Sequence, residues 1–165
     1  MSAIDWEIRP YEEGDAEAID TLLRAAFATG AEADLTAALR TAGDAEIEFL
    51  ADADGTLIGH VLLSRMRQPA GTLALAPVAT SLEHRHQGVA ASLIESALAQ
   101  ATANDWRGVF VLGDLSYYER FGFESAAAAP FASPYSGEHF GLAILDDDEL
   151  PKGETAQHAE SFGAL

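Results

Sequence analysis

Between residues 73 and 98 the pattern of apolar and polar positions changes its period. Leu73 to Ala79 is a short apolar run, Ser81 to Gln87 is polar, and beyond Gly88 the apolar residues Val89, Leu93 and Leu98, with Ile94 beside them, recur at helical spacing. This predicts a central strand, a tight loop and a helix running to about Ala103, where Asn104 and Asp105 end it.

The same reading extends to both sides. Ile4 to Ile8 alternates as a short strand stopped at Pro10, and Ile19, Leu22, Leu23, Ala26 and Phe27 place a helix over Asp15 to Phe27. A second helix is predicted near Ala33 to Thr41, ended by Gly43. Glu46 to Ala53 alternates, and the turn Ala53-Asp54-Gly55-Thr56 leads into a strand from Leu57 to Arg67, giving an antiparallel hairpin. Arg107 to Leu112 is a further strand, parallel to the central one because it is reached through a helix. Ser125 to Gly137, with Pro130 and Pro134, reads as a loop, and His139 to Leu145 as a last strand before the acidic run Asp146 to Glu149. From Lys152 the tail is polar and is expected to fray.

The junction at Gly88 suits an anion. The first N–H groups of a helix have no internal partner and carry the positive end of its dipole. Gly88 presents no Cβ, Ala90 and Ala91 are small, and His84, Arg85 and His86 form a dense cluster of potential positive charge. Neither a P-loop string nor G-x-G-x-x-G occurs.

The string Arg85-His86-Gln87-Gly88-Val89-Ala90 resembles the R/Q-x-x-G-x-G/A signature of the GNAT superfamily of acetyl-CoA-dependent N-acetyltransferases. Downstream, Gly113-Asp114-Leu115-Ser116-Tyr117-Tyr118-Glu119-Arg120-Phe121-Gly122-Phe123 is similar to the G-D-x-x-Y-Y-x-R-F-G-F block of a bacterial and archaeal branch. The resemblance runs from Ile8-Arg9-Pro10 to the final strands. It implies a mixed α/β (α+β) fold: a twisted, mostly antiparallel sheet of six or seven strands, helices on both faces, and one parallel pair that splays apart. The whole chain, 1–165, is then expected to be a single acetyltransferase domain.

The resemblance further implies that acetyl-CoA binds with its pantetheine arm along Val78, Ala79 and Thr80. Its pyrophosphate would lie over Arg85, His86, Gln87, Gly88, Val89, Ala90 and Ala91. The implied reaction is direct attack of a primary amine on the thioester within a ternary complex. Tyr118 would protonate the leaving thiolate, and a backbone N–H near Ala79, at a bulge, would meet the oxyanion. Tyr117 would pack beside it. Glu46, Glu48, Glu83, His84 and Asp114 are all open as the general base, as is a water chain. Two other readings stay open: a non-catalytic acyl-CoA-binding regulatory domain, and transfer to a protein N-terminus or lysine.

Composition narrows the picture further. The chain has 165 residues, the length of one domain, and its apolar runs fall short of the ~20 residues that cross a bilayer. It contains no cysteine, which excludes disulfides and thiolate chemistry. His84-x-His86 lacks a third ligand nearby, so no metal is expected. The first residues lack the pattern of an export signal, and a cytoplasmic monomer or homodimer is expected.

With 27 acidic and 9 basic residues, a net charge of −18 makes nucleic acids and anionic membranes poor partners. Lys152 is the only lysine. Such acidity fits the salty cytoplasm of a halophile, with carboxylates spread along the whole chain; the competing reading is an acidic cleft that attracts a cationic amine. If the acidity serves salt adaptation, self-repulsion is screened by salt and the thermal midpoint rises as potassium chloride goes from about 0.1 to about 2 M. A midpoint that ignores salt returns the weight to the acidic cleft.

Overall fold

The structure, a computed structural model, describes residues 5–146, 150 and 154–164. Ile4 of the expected first strand, residues 147–149 of the acidic run and Lys152 lie outside the described residues. The elements follow in the order β1 (Glu7–Pro10), α1 (Ala16–Ala26), α2 (Ala31–Ala42), β2 (Ala45–Ala53), β3 (Thr56–Arg65), β4 (Thr72–Thr80) and α3 (Val89–Ala103). Then come β5 (Gly108–Leu112), two short helices α4 (Leu115–Tyr118) and α5 (Ser125–Ala128), and β6 (Phe140–Ile144).

Six strands form one sheet in the order β1-β2-β3-β4-β5-β6. All neighbours are antiparallel except β4 and β5. That parallel pair follows from the α3 crossover, which returns the chain in the same direction.

Alternation along the strands sorts the core into two layers. Val61 and Leu63 of β3, Leu73 and Leu75 of β4, and Val109 and Val111 of β5 point to the face that carries Val89, Leu93 and Ala97 of α3. Leu62, Ala74, Phe110 and Leu142 point to the opposite face, against Leu35 and Leu39 of α2. On that second face Leu50 packs with Ile19 and Leu23 of α1.

One irregularity in β4 shapes the rest. Leu63 pairs with Leu75, yet Val61, two residues earlier, pairs with Val78, three residues on. An extra residue therefore sits in β4 between Leu75 and Val78, a β-bulge at Ala76 and Pro77. The parity of the strand flips there: Val78 packs with the layer that holds Leu73 and Leu75. The expected bulge near Ala79 thus lies two to three residues earlier, beside a proline that has no N–H to give the ladder.

Pairing between β4 and β5 ends at Leu75 and Val111, while β4 stays paired to β3 as far as Thr80. The two parallel strands start together and separate.

Three other expectations change. Pro10 is the last residue of β1 rather than a barrier before its end, which an edge strand tolerates because one side needs no ladder bond. Ser125 to Ala128 is a helical turn, driven by a run of alanines, the strongest helix formers. The tail does not fray over the described residues 154–164. Ala156 N donates to Ala132 O at 2.8 Å, Gln157 N to Gln68 O at 2.9 Å and Arg67 N to Gln157 O at 2.7 Å. Ala156, Ala159 and Phe162, three residues apart, bury one stripe of the tail against the α2 side of the sheet.

α2 is tied to the sheet by a buried charge cluster. Arg40 holds the Glu48 carboxylate with both ends of its guanidinium, Nε at 3.0 Å and Nη2 at 2.5 Å, and its plane lies 4.4 Å from the centre of the Tyr11 ring. His60 Nε2 stands 2.6 Å from the same carboxylate, and His60 Nδ1 is buried with no partner. These contacts fit a neutral ring that donates from Nε2, because a protonated ring would bury an unpaired N–H at Nδ1. Burial pushes the His60 pKa below its usual value against the pull of Glu48. Burial alone would raise Glu48, but the bonds from His60 and Arg40 outweigh it and hold the carboxyl below its usual range.

Both shifts give the same sign. As pH falls below 6.5 the unfolded chain takes up a proton at His60 that the folded chain refuses, so stability drops. Glu48 adds to the loss as pH falls through 4.5, where the unfolded carboxyl protonates first. Glu48→Ala strands Arg40 and His60 and should cost about 3 kcal/mol, seen as a lower urea midpoint at neutral pH. A midpoint equal to that of the parent would show that the cluster contributes nothing to stability.

Candidate active site

The loop between β4 and α3 holds two left-handed positions, His86 at φ 65° and Gly88 at φ 84°. A Cβ on Gly88 would meet no atom within 4 Å, so glycine is needed there for the backbone angle, while the space above it is open groove. The first helical bond of α3 runs from Ser92 N to Gly88 O at 3.0 Å, which leaves the N–H groups of Val89, Ala90 and Ala91 without intrahelical partners.

Those three residues line a groove of about 570 Å³. Val78, Ala79 and Thr80 of β4 form its floor, and Arg85, His86 and Gly88 stand in the loop at its edge. Of the residues that the motif singles out, only Gln87 is not part of this lining. Two features were absent from the sequence reading. Ala26 and Phe27, at the end of α1, form a wall, and the Arg85 guanidinium reaches Ala26 O at 3.5 Å. Arg120 supplies a second cation, held over the Tyr117 ring at 4.6 Å and bonded through Nε to Tyr117 O at 2.8 Å. Among the described residues no carboxylate lines the groove, although the chain carries 27 acidic residues.

A second cavity, about 330 Å³, lies where β4 and β5 separate. Ala74 to Val78 form one side, Phe110 to Leu112 the other, and Glu32, Tyr118, Tyr135, His158 and Phe162 close it. Phe27 and Val78 line both cavities, so the groove and the chamber meet at the end of the bulge.

Asp114 caps α4 by accepting from Ser116 N at 3.0 Å and Ser116 Oγ at 2.6 Å, and the helical turn carries Tyr117 to the groove and Tyr118 to the chamber. The Tyr118 ring packs edge-on against Tyr117 at 5.2 Å and Phe123 at 5.7 Å. Gly113 leaves room for it: a Cβ there would lie 2.9 Å from Tyr118 Cε2. Burial, helped by Tyr117, pushes the Tyr118 hydroxyl up to about 12, so it keeps its proton at neutral pH.

The acids and the histidine considered as bases do not line the chamber. Glu48 is held by Arg40 and His60, Glu46 pairs with Arg65, Asp114 is a helix cap, and His84 Nδ1 lies 2.6 Å from Ser81 Oγ. Glu83 is exposed in the turn Leu82–His84. The carboxylate and the imidazole that share this lining with Tyr118, Glu32 and His158, were missed by motif reading, and their distance in sequence from either motif left no signal. Glu32 Oε2 is buried without a partner. His158 sits between Tyr135, at 5.1 Å, and Phe162, at 4.8 Å, and burial lowers its pKa to about 4. Among the described residues no group of three or more metal-ligating side chains comes together.

The model of the acetyltransferase (GNAT) family matches residues 4–123. The chain belongs to the GNAT acetyltransferase family. It is 34% identical over 142 residues to YhbS, an uncharacterized N-acetyltransferase of Escherichia coli K12, covering 82% of this chain and 85% of the relative. The crystal structure of YhbS from Escherichia coli in complex with CoA superposes with a TM-score of 0.91 at 32% identity, over 99% of this chain and 94% of the other. A GNAT family acetyltransferase from Brucella melitensis, in complex with acetyl-CoA, gives a TM-score of 0.81 at 28% identity, over 97% and 99% of the two chains.

Proposed function

We propose that this acetyltransferase moves an acetyl group from acetyl-CoA to a primary amine by direct attack in a ternary complex, the described residues acting as one catalytic unit. The observation that carries this reading is the junction of two unlike cavities at Phe27 and Val78. Among the described residues, one cavity is cationic and free of carboxylates; the other holds a single carboxylate and a protonated tyrosine. A polyanionic acyl donor fits the first, and an amine fits the second. The CoA and acetyl-CoA complexes of the two relatives support the donor assignment.

The unpaired N–H groups at Val89, Ala90 and Ala91, with Arg85 and Arg120, suit a pyrophosphate. The β4 floor from Val78 to Thr80 suits an extended arm lying along the strand, and His86 and Gly88 shape the loop above it. Bound acetyl-CoA supplies a thioester at the junction, which the amine nitrogen attacks in its neutral form. The proton that the nitrogen sheds passes to water. A β4 backbone N–H at Val78 or Ala79 faces the developing oxyanion, since Pro77 has none to offer. As the carbon–sulfur bond breaks, Tyr118 gives its hydroxyl proton to the thiolate.

The acidity of the chain is read as salt adaptation, because among the described residues carboxylates are absent from the groove and only one lines the chamber.

Two variants test the reading. Tyr118→Phe removes the proton and almost no volume, so kcat should fall by about 10²-fold while acetyl-CoA affinity holds. Arg85→Ala should weaken acetyl-CoA binding by about 1 to 2 kcal/mol in calorimetry. Full turnover in Tyr118→Phe would remove the acid from Tyr118. Tight acetyl-CoA binding with no thiol release from any amine would favour the non-catalytic acyl-CoA-binding reading.

A further inference from the structure

The chamber beside Tyr118 has a composition unlike the rest of the surface. Aromatic rings dominate it: Phe27 at the mouth, then Tyr135, His158 and Phe162 along one wall. Burial keeps His158 neutral down to about pH 4, so in this wall it acts as a fourth ring rather than a charge. Glu32, from the first turn of α2, is the one carboxylate in the lining among the described residues, and neither Lys nor Arg of those residues accompanies it.

Glu32 Oε2 is out of water and takes no hydrogen bond within the protein. A buried carboxylate oxygen with no donor is costly, and nearby acids resolve the same problem with an arginine, as Glu48 does with Arg40. Arg24 bridges Asp20 and Asp34 on the neighbouring turns and leaves Glu32 out. The missing donor at Glu32 is thus matched by an open space of about 330 Å³ in which it can be supplied.

We infer that this chamber selects a compact monoamine with an apolar, ring-bearing body: Glu32 pairs with its ammonium group on binding, the nitrogen then releases its proton to water before it attacks, and the aromatic wall holds its hydrocarbon. The inference rests on the acetyl-transfer reading and narrows its acceptor. A polyamine or an aminoglycoside carries several ammonium groups and would need several carboxylates, where the chamber offers one. A protein N-terminus carries a polar backbone that the aromatic wall cannot satisfy. The volume suits a ligand at the small end of the usual range. Glu32 is a binding residue here. Tyr118, in the same lining, is positioned to meet the product thiolate.

Phenethylamine is the probe, with spermidine and a short peptide bearing a free N-terminus as competitors, all offered to the full chain with acetyl-CoA. Phenethylamine should give kcat/KM at least about tenfold above either competitor. Glu32→Gln should raise its KM about 10- to 100-fold, the scale of a lost charge-assisted bond, with kcat changed less than about threefold. Glu32→Asp, which keeps the charge, should lose less. In parallel, phenethylamine binding to the chain saturated with CoA is measured by calorimetry, and Glu32→Gln should weaken it by the same factor while leaving CoA affinity unchanged. Glu32-dependent binding without thiol release would sustain the chamber assignment and overturn acetyl transfer. Preference for spermidine or the peptide, or a phenethylamine affinity indifferent to Glu32→Gln, would overturn the chamber assignment while leaving acetyl transfer intact. Failure of phenethylamine to bind at all would overturn it as well.

Discussion

The site exists because two parallel strands stop pairing part-way along their length. β4 and β5 share hydrogen bonds from Thr72 and Gly108 to Leu75 and Val111, and beyond that point β4 continues alone beside β3. The bulge at Ala76 and Pro77 is the local cause, since an inserted residue bends a strand and increases its twist. It also reverses which face each later residue takes, so that Val78 closes over the α3 layer while Ala79 joins the α1 cluster. A sheet that stayed paired to Thr80 would fill the gap with its own backbone bonds. It would have neither the chamber nor the place where the chamber meets the groove.

Charge is distributed to suit that gap. The chain as a whole repels anions, with a net charge of −18, yet the groove is lined by Arg85 and Arg120 and by the free N–H groups of α3. Local fields in a cleft are set by the nearest groups, and distant carboxylates are screened, the more so at high salt. Meanwhile several acids on the α2 side are neutralised within the protein. Glu48 is bound by Arg40 and His60, and Asp15 by Arg9 through two bonds of 2.9 Å. Glu32 differs in having an oxygen that no described residue serves.

Much of this was readable in the sequence because the groove is built from one continuous stretch. Leu73 to Ala91 contains the strand, the loop with Gly88 and the helix start, and its change from an apolar run to a helical period marks each boundary to within about two residues. The parallel pairing with residues 108–112 follows from the crossover helix alone. Tyr118 was singled out by its place four residues before Gly122, and it lines the chamber while Tyr117 turns to the groove. The position of the bulge was not legible, since Ala76 and Pro77 look like any break in an apolar run until the register with β3 is known. Arg120 was hidden inside a motif read for its aromatic residues. Glu32 and His158 were invisible for a plainer reason: they lie more than 120 residues apart, and no local pattern links the first turn of α2 to the tail. The tail itself was misjudged because its apolar residues, Ala156, Ala159 and Phe162, are spaced too sparsely to register as an element, yet their stripe is enough to dock it.

That difference in construction separates two kinds of constraint on the protein. The groove is lined largely by the first residues of α3 and by small side chains, so its geometry depends on the left-handed angle at Gly88 and on α3 being held to the sheet. A change of side chain elsewhere leaves it in place. The chamber has the opposite character. Its floor is the exposed gap between β4 and β5, but its walls come from the α1–α2 junction, α2 and the docked tail, each attached by a modest set of contacts. Glu32, Tyr135, His158 and Phe162 line the chamber alone and take no part in the groove, whereas Phe27 lines both. The groove and Tyr118 are thus placed by the sheet and the elements that flank β4 and β5, whereas the outer lining of the chamber comes from side chains of α2 and the tail.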